Sequence, residues 1–294
     1  LANPLKRFVP KRFRKSETQI PVVRLSGAIM ASSTLGRQNL SLASAAPMLE
    51  KAFSMKEAPA VAISVNSPGG SPVQSRLIYK RIRDLANEKK KRVLIFVEDV
   101  AASGGYMIAC AGDEIIADPS SIVGSIGVVS GSFGFVGLIE KLGIERRVHT
   151  AGRNKVTLDP FQPERQEDVE RLKALQLEVH QTFIDLVKGA RGDKLAADDD
   201  LFTGLFWSGV RGKELGLVDS LGDLRGTLRE RYGEKVKPVL VTPKTGLFGR
   251  AKPGIASHLG DMLSGDAASP FASALVRETL SLAEERALWA RYGL

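Results

Sequence analysis

The chain has 294 residues, 43% hydrophobic and 26% charged, a balance that excludes disordered and collagen-like classes and allows one large domain with extensions. Its single cysteine, Cys110, excludes an internal disulfide, and three separated histidines (His149, His180, His258) in no ligand motif leave no metal site or cofactor to expect. The net charge is +9, and residues 1–15 supply six of those charges, as Lys6, Arg7, Lys11, Arg12, Arg14 and Lys15 with no acid among them.

Residues 1–18 therefore read as a basic tail. Such a tail can rest on an anionic lipid surface, and a solvated terminus is the plainer reading. Nucleic acid is not an expected partner, because no aromatic interleaving or recognised module accompanies the basic residues. The sequence has no run of 18 or more uncharged apolar residues and no apolar stretch of the secretory type after the basic cluster. The expected location is the bacterial cytoplasm or the periphery of the inner membrane.

From Gln19 the pattern becomes that of a folded domain, expected over 19–243. Ile20 to Ile29 is β-branched and strand-like. Residues 40–56 carry helical spacing through Leu42, Ala46, Leu49, Ala52 and Phe53. Val61 to Val65 is a continuous apolar run that stops at Asn-Ser-Pro-Gly-Gly (66–70), and 72–91 is helical again, ending in Lys89–Lys91. RVLIFVEDVAASGG (92–105) repeats the arrangement of buried strand, glycine pair and helix. Short strands are expected in EIIAD (114–118) and SSIVGSIGVVSG (120–131), a long amphipathic helix over about 163–190, and a last strand in PVLVTP (238–243). A linker at about 244–269 and a terminal helix over about 271–292 complete the chain, the helix packing on its own domain or on a sister subunit. Alternating strands and helices, with strands apolar on both faces, predict an α/β fold with a mostly parallel sheet and with chemistry at the carboxyl ends of the strands.

Both glycine pairs fall at such ends. Ser103, between the second strand run and the next helix, has two readings. It can cap the helix, or it can be a nucleophile, with flanking glycines that admit substrate and a helix dipole that favours developing negative charge. It is not in the G-x-S-x-G elbow, since Ala101 stands at the first glycine position. No histidine is placed to serve it. A lysine can act as base where burial or neighbours lower its pKa towards neutral. Lys155, in TAGRNKVTL, stands apart from the charge runs; its plainer reading is a surface lysine between loop and strand.

Taken in order, VVRLSGAI (22–29), NSPGG (66–70), DVAASGGYMIA (99–109), SSIVGSIGV (120–128), AGRNK (151–155) and WSGVRGKELGLVDSLGDL (207–224) resemble the signal peptide peptidase and protease IV family of serine–lysine peptidases over roughly residues 20–242. The resemblance implies a crotonase-like (Clp protease-like) spiral of ββα units. It implies Ser103 as nucleophile, Lys155 as general base and Ser125 as the serine that orients the lysine amine. It also implies an oxyanion hole from the backbone N–H groups of Gly70 and Gly104, with Asn66 and Pro68 shaping the turn. It further implies a ring-like homo-oligomer in which the lysine reaches the serine of an adjacent protomer, and a substrate of extended peptide, such as remnant signal peptides or membrane-derived segments. Val156 departs from the small or polar residue usual after the family's lysine. Two other readings are a crotonase-type acyl-CoA enzyme, which needs two N–H donors and no serine–lysine pair, and a non-catalytic ring scaffold in membrane protein quality control.

Overall fold

The computed structural model describes residues 17–31, 39–242, 283 and 286–294. Most of the basic tail, the linker and the first part of the terminal helix, with Leu275 and Leu282, lie outside the described residues. The elements run β1 (Gln19–Ser26), α1 (Leu42–Phe53), β2 (Ala60–Ser67), α2 (Pro72–Lys89), β3 (Arg92–Ala102), α3 (Gly104–Ala109), β4 (Glu114–Ala117) and β5 (Ile122–Gly124). They continue through α4 (Val136–Lys141), α5 (Gln166–Arg191), β6 (Phe206–Ser208), α6 (Gly209–Glu214), β7 (Ser220–Leu221), α7 (Leu224–Tyr232) and β8 (Lys237–Leu240).

One sheet runs in the order β6-β5-β3-β2-β1-β8, and every strand pairing in it is parallel except β5 with β6. The expected α/β architecture is the observed one. The central strands are apolar on both faces because both are covered. One face packs Val23, Ile63 and Ile95 against α1, α2 and α3, and the other packs Val22, Ala62 and Leu94 under Leu228 of α7. In the first repeats, the second strand of each unit shrinks to a bridged residue, Ile29 facing Leu40 and Gly70.

Local signals explain the helix bounds. Ser41 and Ser44 form a reciprocal capping box at the start of α1. Ser71 caps α2, Pro72 stands in its first turn, and Lys90 closes it in the left-handed conformation. The expected strand over 120–131 is shorter than its apolar pattern: β5 ends at Gly124, because its partner β6 is short and Ser125 turns the backbone to φ 53°.

Strand β3 forks. Its first half, Leu94–Val97, pairs with β4, and its second half, Val100–Ala102, pairs with β5. Between the halves the register with β2 shifts at Val65/Ser67. Asn66 fills the irregularity: its amide donates to Asp99 Oδ2 (2.6 Å) and its Oδ1 accepts from Val100 N (3.2 Å). The turn residue of Asn-Ser-Pro-Gly-Gly thus also sets where β3 ends.

Beyond β5 the chain leaves the core. No residue between Ile126 and Asp168 is buried. This arm exposes Val129, Phe133, Leu138, Leu142 and Ile144, and the outer half of α5 exposes Leu175 and Leu177. Only towards its end does α5 bury side chains in the core, with Phe183 and Val187.

The inner end of α5 is fixed by a buried ion pair. Arg191 Nη1 and Nη2 donate to Asp219 Oδ2 and Oδ1 (2.8 and 3.0 Å), and its Nε donates to Gly216 O (2.9 Å). Asp219 also accepts from Lys194 (2.6 Å) and from Ile115 N (2.8 Å). Burial alone would raise the Asp219 carboxyl, but Arg191, Lys194 and the Ile115 N–H outweigh it and hold it down at about 2. The unfolded carboxyl titrates near ~3.9, so the folded value is the lower one. The pair's contribution, about 2 kcal/mol, is complete above the unfolded value and is lost as pH falls through about 2. Asp219→Asn leaves Arg191 buried without its partner and should cost roughly 3–5 kcal/mol at neutral pH. Urea denaturation of parent and variant should show that difference shrinking between about pH 4 and pH 2.

Candidate active site

The Asn-Ser-Pro-Gly-Gly turn leaves β2 and is tied to the exit of β1. Gly27 N donates to Asn66 O (3.0 Å), Ile29 N to Gly69 O (2.8 Å) and Ser71 N to Ile29 O (2.7 Å). These bonds use the Gly69 carbonyl and the Ser71 N–H, leaving the Gly70 N–H outside the ladder. Gly69 and Gly70 stand at φ 101° and 136°, where a side chain would be strained. A Cβ on Gly69 would lie 2.8 Å from Ser103 Cβ, so the turn and the serine are packed backbone against side chain.

Ser103 follows β3 directly. Its N–H donates to Gly124 O (2.9 Å) and its carbonyl accepts from Met107 N (3.0 Å), which sets it between β5 and α3. Its backbone, φ 53° and ψ −121°, belongs to a region that suits glycine. It stands at the N-cap position of α3 but makes no side-chain capping bond, and its Oγ has no hydrogen-bond partner among the described residues. Gly104, the first residue of α3, has no carbonyl four residues back to accept its N–H. Gly70, Gly104 and the uncommitted hydroxyl of Ser103 therefore border one place.

That place is a cavity of about 410 Å³, whose lining includes Gly70, Ser103, Gly104, Ser125, Met107 and Phe183. Ser125 is buried, its N–H donating to Leu205 O (2.7 Å). A second cavity of about 400 Å³, lined by Glu98, Asp99, Asp118 and Asp223, contains none of these groups. Cys110, behind α3, is pushed up to about 12 by burial and is a packing residue. His180, half-buried on α5, approaches Ile126 O (3.0 Å), and His149 is exposed in the arm. Among the described residues no group of histidines, cysteines and acids is arranged to hold a metal.

Of the residues singled out in the sequence, Ser103, Ser125, Gly70 and Gly104 come together. Lys155 does not join them within this chain. It lies exposed on the arm, its side chain makes no hydrogen bond or ion pair among the described residues, and it is absent from the cavity lining. Two further residues at the site carry no mark in the sequence pattern. Gly69 reads as the turn glycine beside Gly70, and only the fold puts it against Ser103. Tyr292 reads as one aromatic of the terminal helix, yet its hydroxyl donates to Ser125 Oγ (3.2 Å). The same segment brings Leu288 and Arg291 to the cavity wall, sets Tyr292 edge-on to Phe206 at 5.1 Å, and packs Trp289 against the cluster of Val100, Ala102 and Tyr292. Its helical residues 286–290 thus pack on the chain's own domain at the mouth of the site.

Ser103→Gly should raise stability by about 1 kcal/mol over Ser103→Ala, because glycine occupies this backbone conformation without strain. Chemical denaturation of the two variants checks this. Deleting residues 286–294 removes part of the cavity wall, and a small fluorophosphonate should then label Ser103 several-fold faster.

The sequence profile described as Peptidase family S49 matches residues 85–236. A Na(+)/H(+) antiporter NhaA of Brucella abortus is 65% identical over 99% of this chain, which spans 39% of that relative's length. A protein of Methanocaldococcus jannaschii named as a protease is 34% identical over 74% of this chain and 71% of its own. The chloroplastic serine protease SPPA of Arabidopsis thaliana is 29% identical over 84% of this chain and 36% of its own. The matched profile covers more than half of the chain, including Ser103, Gly104, Ser125 and Lys155, and the chain belongs to peptidase family S49, that of signal peptide peptidase and protease IV.

Proposed function

We propose that the chain is a serine endopeptidase in which Ser103 of one copy is activated by Lys155 of an adjacent copy. The observation that carries this reading is the division of the site. A hydroxyl without partners sits in a cavity beside two unused N–H groups, and the matching lysine is held out on an arm that carries exposed apolar side chains. Docking that arm on a neighbour would cover Val129, Phe133 and Leu142 and would bring the lysine into a partly apolar cavity. Large exposed apolar surfaces of this kind mark interaction sites.

In the proposed reaction the neutral Lys155 amine takes the Ser103 proton as Oγ attacks the scissile carbonyl carbon. The carbonyl oxygen becomes an oxyanion that accepts from the N–H groups of Gly70 and Gly104, worth roughly 3–4 kcal/mol per donor in comparable sites. The C–N bond breaks, and the lysine ammonium gives its proton to the leaving amine. Water, deprotonated by the same lysine, attacks the acyl-enzyme and releases the acid and Ser103. Ser125 Oγ accepts from Tyr292 and keeps a second lone pair to accept an N–H of the amine, whose own lone pair stays free for the Ser103 proton. The substrate on this reading is an extended peptide, such as a remnant signal peptide or a membrane-derived segment.

The antiporter name of the Brucella relative is not carried over. This chain spans 39% of that relative's length, and among the described residues no helix is long and apolar enough to cross a membrane. Contact with a membrane surface, on this reading, falls to the basic tail.

Cleavage of a fluorogenic peptide library tests the reading. Ser103→Ala and Lys155→Ala should each lose activity by several orders of magnitude, and mixed assemblies of the two should recover part of it. Activity that survives in Ser103→Ala sinks the nucleophile; failure of the mixture to recover sinks the shared site.

A further inference from the structure

No residue between Ile126 and Asp168 is buried as a whole, so the core of this chain does not fix the loop that carries Lys155. A general base must nevertheless be held to a fraction of an ångström, and a displacement of about 1 Å can cost a hundredfold in rate. Asp168 is the anomaly at this point. It is a carboxylate in the first turn of α5 and it is 2% exposed, the first buried residue after the arm. Burying a carboxylate is costly unless cations and hydrogen bonds compensate.

Two arginines compensate it, and both reach onward. Arg165 donates from Nε and Nη2 to Asp168 Oδ2 and Oδ1 (2.8 and 2.9 Å), and the same Nη2 donates to the carbonyl of Val156 (3.2 Å). Arg171 Nη1 donates to Asp168 Oδ1 (3.4 Å) and to Asn154 Oδ1 (3.3 Å), while its Nη2 pairs with Glu167. The residues gripped are 154 and 156, one on each side of Lys155. The loop is closed further by Lys155 N donating to Gly152 O (3.0 Å) and by Thr157 Oγ1 donating to Asn154 O (3.0 Å).

We infer that Arg165 and Asp168 are positioning residues for Lys155: a buried carboxylate locks two guanidinium forks that hold the Val156 carbonyl on one side of the base and the Asn154 side chain on the other. The inference rests on the reading of Lys155 as the base. Arginine suits the task because its planar fork can engage a carboxylate bidentately and still reach a third acceptor, which a lysine ammonium cannot do in the same geometry. The loop is thereby stiffened by polar bonds within one chain, before any neighbour arrives.

The test uses full-length assemblies and the peptide substrate. Arg165→Lys keeps the charge beside Asp168 and loses the fork. It should lower kcat about tenfold to a hundredfold, with KM and the melting temperature unchanged. Arg165→Gln should lower kcat further. Its activity should recover in mixed assemblies with Ser103→Ala, whose arm is intact, and not with Lys155→Ala, whose arm is already defective. A general folding defect would not sort in this way. Parental kcat in both Arg165 variants overturns the inference, as does equal recovery with either partner, or recovery with neither when Ser103→Ala and Lys155→Ala do complement each other. Asp168→Asn should behave as Arg165→Gln; if it fails to fold, Arg165→Lys alone decides. Retained activity in Lys155→Ala defeats the reading of the base instead. If Ser103→Ala and Lys155→Ala do not complement each other, the shared site falls, and the kcat and KM of Arg165→Lys still judge the positioning.

Discussion

On the side away from β2, strand β3 cannot keep one neighbour along its whole length, and the architecture of the site follows from that constraint. Its first half is bound to β4 and its second to β5, with Glu98 and Asp99 between. The register shift against β2 at the same level leaves ladder groups that need another partner, and Asn66 provides it. Because the strand leans to a new neighbour for its last residues, it delivers Ser103 under Gly124 and beside the Gly69–Gly70 turn. A β3 that continued beside β4 would carry the serine away from that turn.

Close approach at this junction is a backbone effect. Ser103 holds φ 53°, and the turn glycines hold φ values open to few other residues. The strain costs of order 1–3 kcal/mol at the serine and is held in place by its surroundings: the hydrogen bond to Gly124, the helix that begins at Gly104, and Tyr106 behind it, whose hydroxyl donates to Leu217 O (2.8 Å). Tyr106 thereby links the site to the segment locked by Arg191 and Asp219, so the buried ion pair and the strained serine belong to one rigid block.

Much of this block was legible in the sequence because its signals are local. Continuous apolar runs ending in glycine pairs mark β2 and β3, and serine and proline mark the starts of α1 and α2. The order of the short motifs pointed to Ser103, Ser125, Gly70 and Gly104, which the fold does bring together. What was not legible depends on distance through space. Tyr292 lies 167 residues from Ser125, and nothing near it in the chain announces their hydrogen bond. The apolar spacing of the long helix runs evenly from Val169 to Val187, yet Leu175 is exposed and Phe183 is buried, because periodicity gives a face and not the partner that covers it. The strand signal of 120–131 failed past Gly124 for a related reason: a strand needs a neighbour, and β6 offers only a short one.

The same distinction separates the two halves of the proposed dyad. The nucleophile is built by a core that one chain completes, where strain can be stored because packing surrounds it. The lysine stands on an arm in which no whole residue is buried, and its loop is organised by charges instead. An amine serves as base when it is desolvated and near the hydroxyl whose proton it takes, and on the proposed reading both conditions arrive together, with the neighbour that covers the arm. An isolated copy would then hold a strained serine with no base beside it, and proteolysis would be confined to the assembled state by geometry. The Tyr292 hydroxyl already occupies one acceptor position of Ser125, so a lysine arriving from a neighbour meets a serine whose second lone pair can accept an N–H of its amine and leave the amine's own lone pair for Ser103.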